Sequence, residues 1–347
     1  MKRHPLGSLV ILAFAAGCLP LPAAVHAPTE VWTVFPPGVD SLDDGRASAG
    51  CSAIVDTWIG LDSVSLRPAL LAPVVFRSLL IQHLDCGAYT TNLGTAYAAL
   101  PRRIAVVTTF QGTRYHPEVV RAMGESPDAL SRTASVIAGM ATGNGARGVL
   151  LDFEEMSGED LPTLMEVSRA IADSIRVRAP DPVGIMVPTS DSAGYPARTL
   201  ARIADVLLVR LFPEHGVGNP PGPIVSPPWF VRQLGARAGE VGVNRIVAGV
   251  PADGVLWSTR EGARRISYME ALRLAESAGT PVVRDPASGN LHAVSTRDGW
   301  ELWVADHELV MKLIAEGRRI GVTRFALFGL DGADSRLWQL LPQLVKR

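Results

Sequence analysis

Gly148-Val149-Leu150-Leu151-Asp152-Phe153-Glu154-Glu155 passes from an apolar run into three acids within eight residues. Side chains alternate along a strand, so Leu150, Asp152 and Glu154 share one face, and Leu151, Phe153 and Glu155 the other. An apolar run that ends in acids fits a strand of a parallel barrel, where functional residues gather at the C-terminal ends of the strands. With Leu150 filling the interior, Asp152 stands just above it and Glu154 at the mouth. Two carboxylates close together in a partly desolvated place raise each other's pKa. An acid kept protonated in this way can deliver a proton to a leaving oxygen. The same letters also fit a plain strand end followed by an acidic first helical turn, so the choice rests on the rest of the chain.

Outward from this stretch, short apolar runs alternate with longer segments of helical period, the rhythm of repeated β-α units. Strands are predicted at Val31–Phe35, Ala53–Trp58, Ile104–Thr109, Gly148–Phe153, Val183–Pro188, Val206–Phe212, Ile246–Val250 and Phe325–Phe328. Leu161–Val177 has apolar residues at helical spacing behind Ser157, Glu159 and Asp160, as a helix start prefers. The predicted fold class is therefore α/β, a (β/α)8 TIM barrel spanning residues 28–347. The stretch from about 258 to 303 is too long for a simple connection. It reads as a small α+β insertion between strands seven and eight, with a helix over Ile266–Ala278 and strands at Pro281–Val283 and Leu291–Val294. The proline-rich segment Pro220–Pro228 reads as a loop at the functional end.

The chain has 347 residues, 47% hydrophobic and 19% charged, with a formal net charge of -1. This composition argues for a sizeable core and against disorder. The charge argues against a nucleic-acid partner. Lys2 and Arg3 precede an apolar stretch from Leu6 to Ala16, the layout of a signal peptide over residues 1–27. Two processing outcomes are open: cleavage at Val25-His26-Ala27, or a lipoprotein box, Ala15-Ala16-Gly17-Cys18, that puts a lipid on Cys18. The chain has three cysteines, so Cys51 and Cys86 remain to form one disulfide in an oxidising compartment. An exported location is expected: periplasmic, secreted or at the cell surface, with membrane contact only through such an anchor. No metal-binding or nucleotide-binding motif is visible and no cofactor is expected. Ser190 and Ser192 lack a nucleophile-elbow pattern.

Arg147 to Glu154 resembles the signature of glycoside hydrolase family 18, in particular the bacterial branch that reads Asp-Gly-Val-Asn-Ile-Asp-Phe-Glu. Asp205–His215, followed by Pro221-Gly222-Pro223-Ile224-Val225-Ser226 and Trp229, is similar to that branch's sixth strand and its Pro-Gly-Pro-Ile-Ala-Ser loop. Arg245–Trp257 resembles the seventh strand, and Phe325–Trp338 the eighth with its downstream Trp. The resemblance runs from about residue 30 to the end and is weakest before Arg102. It implies a (β/α) barrel acting on a glycan that contains N-acetylglucosamine; the chain is expected to be a monomer. It also implies substrate-assisted retention, in which the substrate's acetamido oxygen attacks the anomeric carbon. Glu154 would be the acid and then the base, and Asp152 would orient the acetamide and stabilise the oxazolinium charge.

The chain departs from the family pattern at named positions. Arg147 replaces the first Asp and Leu150 the second polar residue. Phe212 stands where a Tyr holds the acetamido oxygen, with Pro213 beside it. Asp253 replaces a Tyr after strand seven, and Phe328 the Trp of the sugar-stacking floor. Trp58, Trp257 and Trp229 read either as stacking platforms or as plain core. His215 reads either as the family's loop histidine or as a structural hydrogen-bonder. Arg210 replaces a Met on the inward face and requires a partner: Glu154, Asp152 or Asp56. A contact with Glu154 would favour the carboxylate, lose the general acid and turn the reading toward binding, whereas pairing only with Asp152 or Asp56 would leave Glu154 protonatable. Retention of Asp152 and Glu154 points to an enzyme. Arg210, Phe212, Pro213 and Phe328 point to a barrel that binds glycan without cutting it, or to a vestigial cleft in the cell envelope.

Overall fold

The computed structural model describes residues 30–34, 53–61, 73–82, 104–110, 114–143, 148–179, 182–189, 193–329, 332–337 and 340. Cys18, Cys51, Cys86, Ser190, Ser192, Trp338 and the predicted signal segment lie outside these residues.

The barrel strands are β1 (Glu30–Val34), β2 (Ala53–Leu61), β3 (Pro73–Gln82), β4 (Ala105–Thr108), β5 (Val149–Asp152), β6 (Val183–Pro188), β7 (Val206–Arg210), β8 (Ile246–Pro251) and β14 (Arg324–Phe328). Eight of them run parallel in the order β1-β14-β8-β7-β6-β5-β4-β2. These are the eight strands predicted from sequence, with ends differing by a few residues. The parallel set does not close on itself. The ninth strand, β3, runs antiparallel between β2 and β1 and completes the ring, an arrangement not anticipated from sequence.

Helices α1 (Pro117–Gly124), α2 (Pro127–Gly143), α3 (Leu161–Arg178), α4 (Ala197–Leu200), α5 (Pro227–Val241), α6 (Tyr268–Ser277) and α7 (His307–Ile320) fill the connections. Proline falls in the first turn of α1, α3 and α5, where its missing N–H costs nothing. The turn before α3 is a capping box between Ser157 and Asp160. Asp160 is also gripped by both arms of Arg121 on α1, at 2.6 and 2.8 Å, which holds its carboxyl well below the usual range.

Two apolar layers follow from the alternation. Ile104, Val106, Leu150, Met186, Val206, Leu208, Val247 and Ala326 pack together inside the barrel. Leu151, Val209, Val250 and Leu327 face outward onto the helices. Between β8 and β14 the chain builds a second, antiparallel sheet. Its order is β10 (Gly262–Ile266), β9 (Gly254–Ser258), β13 (Trp300–Val304), β12 (Leu291–Ser295) and β11 (Val283–Arg284). Helix α6 covers one face of it through Tyr268, Ala271 and Ala275 against Leu256, Leu302 and Val304. The α+β insertion is thus present, running from 254 to 304. Trp257 belongs to it rather than to the end of the seventh parallel strand. Among the described residues no helix is long and apolar enough to cross a membrane.

Candidate active site

The site is built on the inward face of β5. Leu150 lies in the interior layer, so Asp152, two residues on, points the same way and is fully buried. The parallel register sets Thr108 of β4 beside it. The Thr108 hydroxyl donates to Asp152 Oδ2 at 3.0 Å and the Tyr115 hydroxyl donates to the same oxygen at 3.2 Å. Tyr115 is itself buried and meets Phe110 edge-on, with centroids 5.1 Å apart. Burial raises its hydroxyl pKa, with the charge of Asp152 adding to the effect, so Tyr115 stays a donor.

Beyond Asp152 the chain must turn. Phe153 and Met156 anchor outward in the helix-facing core, whereas Glu154 is 4% exposed and meets Arg210 on the inward side. Glu155 makes the reversal in the left-handed region, with φ 62°, a conformation that costs a non-glycine residue about 1–2 kcal/mol. The turn is spanned by one hydroxyl. Tyr195 OH donates to Phe153 O at 2.6 Å and accepts from Met156 N at 2.9 Å. Either backbone group left buried without a partner would cost about 1–3 kcal/mol.

Arg210 ends β7 on the face of Val206 and Leu208, which both lie in the interior layer, and its guanidinium forms an ion pair with Glu154 Oε2. Of the three partners open from sequence, this is the one tied to loss of the acid. That consequence does not follow, because of the charge count. One guanidinium, itself 27% exposed, faces two buried carboxylates, so ionising both acids would leave a buried excess negative charge and is disfavoured. Burial is the largest influence on each acid. Glu154 is pushed up to about 8 by desolvation and the neighbouring Asp152, against the pull of Arg210. Asp152 is pushed up to about 6 by desolvation, against Arg210, Thr108 and Tyr115. Arg210 occupies Oε2, and Glu154 Oε1, Asp152 Oδ1 and Arg210 Nε remain buried without a partner. The pair thus keeps hydrogen-bonding capacity for a ligand.

Phe212, two residues past β7, and Phe328, at the end of β14, meet edge-on, with centroids 5.1 Å apart and planes at 61°. Phe328 passes so close to Gly249 that a Cβ there would lie 3.2 Å from its ring and 2.9 Å from Val209 O. Among the other residues predicted for the site, Asp253 is ion-paired to Arg265 of β10, which ties the barrel to the second sheet. His215 Nδ1 lies 3.2 Å from Pro220 O, and its ring fills the space a side chain at Gly222 would need. Trp257 Nε1 donates to Asn219 O at 2.8 Å and lines a cleft of about 520 Å3 with Val217, Pro221, Trp300 and Glu301. Trp229 packs against the helix-facing core. Trp58 lies on β2, opposite Val106. Val225, in the proline-rich loop, accepts a hydrogen bond at 2.8 Å from buried Asn290 of the insertion.

The structure therefore gathers Asp152, Glu154, Arg210, Phe212 and Phe328 at one mouth, while His215, Trp257 and Asp253 serve loop and insertion contacts. Sequence reasoning missed Thr108, Tyr115 and Tyr195. Thr108 follows from pairing β4 with β5 in register, but nothing local marks the two tyrosines. One group of possible metal ligands occurs among the described residues, Asp306, His307 and Asp334. Arg284, Arg336 and the cap of α7 already engage it, so it reads as a structural knot.

No family model matches the chain. Two curated proteins of Bacillus subtilis (strain 168) are similar in part. One is an uncharacterized glycosylase, YvbX, 22% identical over 123 residues, 33% of this chain and 36% of that protein. The other is a putative sporulation-specific glycosylase, YdhD, 24% identical over 160 residues, 44% of this chain and 38% of that protein. The matched segments thus span little more than a third of these relatives. Among solved structures, a class V chitinase from Pseudomonas fluorescens Pf-5 aligns with TM-score 0.68 and 16% identity over 92% of this chain and 100% of its own. The spore cortex-lytic enzyme SleL of Bacillus megaterium QM B1551 aligns with TM-score 0.63 and 16% identity over 75% of this chain and 63% of its own. The likeness to these structures is one of fold, and it agrees with the resemblance to glycoside hydrolase family 18 carried by the sequence motifs.

Proposed function

We propose that the chain is an exported glycoside hydrolase acting on β-linked glycans that contain N-acetylglucosamine, such as peptidoglycan, chitin-like polymers or an exopolysaccharide. The observation that carries this reading is the buried carboxylate pair at the barrel mouth, Asp152 ending β5 and Glu154 two residues beyond it, each with one oxygen left without a partner. Glu154 Oε2 is held by Arg210 and Oε1 has no partner, so the proton is carried on the oxygen left free. In the reaction the substrate's acetamido oxygen attacks its own anomeric carbon while Glu154 gives its proton to the departing glycosidic oxygen. Asp152, fixed by Thr108 and Tyr115, orients the acetamide and faces the developing positive charge. Water then adds to the anomeric carbon, and the Glu154 carboxylate takes the proton back. Phe212 and Phe328 supply an apolar corner against which a sugar face can stack. The same reading has a monomer outside the cytoplasm, either freed by cleavage at Val25-His26-Ala27 or anchored by a lipid on Cys18, with Cys51 and Cys86 available for one disulfide.

The test is turnover of chitooligosaccharides and peptidoglycan by the native protein and by Glu154→Gln. A fall of about 100-fold or more is expected for the variant. Equal, negligible turnover of both proteins sinks the enzyme reading. A second reading, a glycan-binding barrel without turnover, is favoured by the Arg210–Glu154 ion pair and by Phe212 at the place of the acetamide-holding Tyr. It expects saccharide affinity that falls in Phe328→Ala, measured by calorimetry on the same glycans. Absence of heat with every N-acetylated glycan refutes it.

A further inference from the structure

Tyr195 lies on the loop after β6, 39 residues beyond Met156, and is 1% exposed. Its hydroxyl stands between Phe153 O and Met156 N, the two groups that would bond each other directly in an ordinary four-residue turn. The residues enclosed are Glu154 and the left-handed Glu155. The hydroxyl thus holds open a turn that the local sequence does not favour, and the product of that turn is the inward aim of Glu154. Tyr195 is fixed in its turn by Arg237 of α5, which is buried and donates to Tyr195 O at 3.0 Å and to Pro188 O at 3.2 Å.

We propose that Tyr195 is a positioning residue for the acid: its hydroxyl presets the Phe153–Met156 turn so that the Glu154 carboxyl is presented to the barrel mouth, and Arg237 holds Tyr195 in place. This rests on the functional reading for its effect on turnover and on geometry alone for its effect on Glu154. Removing the hydroxyl leaves the ring and its packing but unties both ends of the turn. Glu154 then moves toward water and titrates closer to an ordinary carboxyl.

The experiment compares the native chain with Tyr195→Phe. The Glu154 titration is followed by carboxyl-carbon NMR, assigned through Glu154→Gln, and kcat and KM are measured on a chitooligosaccharide. The expected result is a Glu154 midpoint at least half a pH unit lower in Tyr195→Phe, kcat at least tenfold lower, and KM within twofold. A Glu154 midpoint equal to that of the native chain overturns the proposal whatever the turnover, and so does a kcat within twofold. A native chain that turns over no glycan refutes the functional reading instead, and the titration then decides the proposal by itself. Should Tyr195→Phe fail to fold, Arg237→Lys, which loosens Tyr195 without removing it, is read by the same midpoint and the same limits. Restoration of the native midpoint and kcat by adding Glu155→Gly to Tyr195→Phe is expected in part, because glycine accepts the left-handed turn freely. A purely packing role for Tyr195 gives no such recovery.

Discussion

Arg210 and Glu154 oppose each other's effects. The guanidinium favours the carboxylate, while burial and Asp152 favour the acid more strongly. Removing the cation leaves only the influences that raise Glu154. Arg210→Met is therefore expected to move the basic limb of the kcat profile, which reports loss of the Glu154 proton, to higher pH. Rate measurements from pH 6 to 10 check this, and a limb that stays or moves down contradicts the charge count. The inward face shared by Leu150 and Asp152 was legible from two-residue alternation, and so was the inward aim of Arg210; Glu154 lies beyond the strand and takes its direction from the turn at Glu155. Its choice of Glu154 was not, since three carboxylates were in reach on sequence grounds. Tyr115 was equally hidden, because its contact with Asp152 joins positions 37 residues apart.

At the scale of elements, the eight parallel strands were readable because each carries a short apolar run and the chain between them has helical period. The insertion was read only in outline. β10 carries Arg264 and Arg265 on a largely exposed ribbon, so no apolar alternation announces it; β3 is itself an apolar run, and what its sequence hides is the antiparallel pairing with β1 and β2. The junction between barrel and insertion is tight: a Cβ on Gly254 would lie 2.2 Å from Trp303 O and 2.7 Å from Val304 Cα. Backbone on the neighbouring strand cannot yield as a flexible side-chain tip can. Gly254→Ala is expected to destabilise the chain by about 1–3 kcal/mol, read as a lower urea midpoint. A midpoint unchanged within error would mean that β9 and β13 do not approach as described.

For the whole molecule, the buried acids make stability depend on pH. Burial raises the pKa of both Glu154 and Asp152 above their ordinary carboxyl values on folding, with Asp152 adding to the Glu154 shift, against the pull of Arg210. The folded chain thus binds protons that the unfolded chain releases. The associated stability is full below the unfolded values and is lost as pH rises through the folded ones. Melting temperatures of the native chain are expected to fall relative to Glu154→Gln between pH 5 and 8.5, and parallel curves for the two proteins would contradict the shift. The sequence by itself determined the α/β barrel, the strand that leads into the acids and the inward face of Asp152, because periodicity and chain order are local properties that survive without coordinates. Only the tertiary structure decided which cation meets Glu154, that β3 bridges the ring, and that Tyr195 braces the turn. Each of these is a contact between segments far apart in the chain, set by packing and burial rather than by any neighbour in sequence.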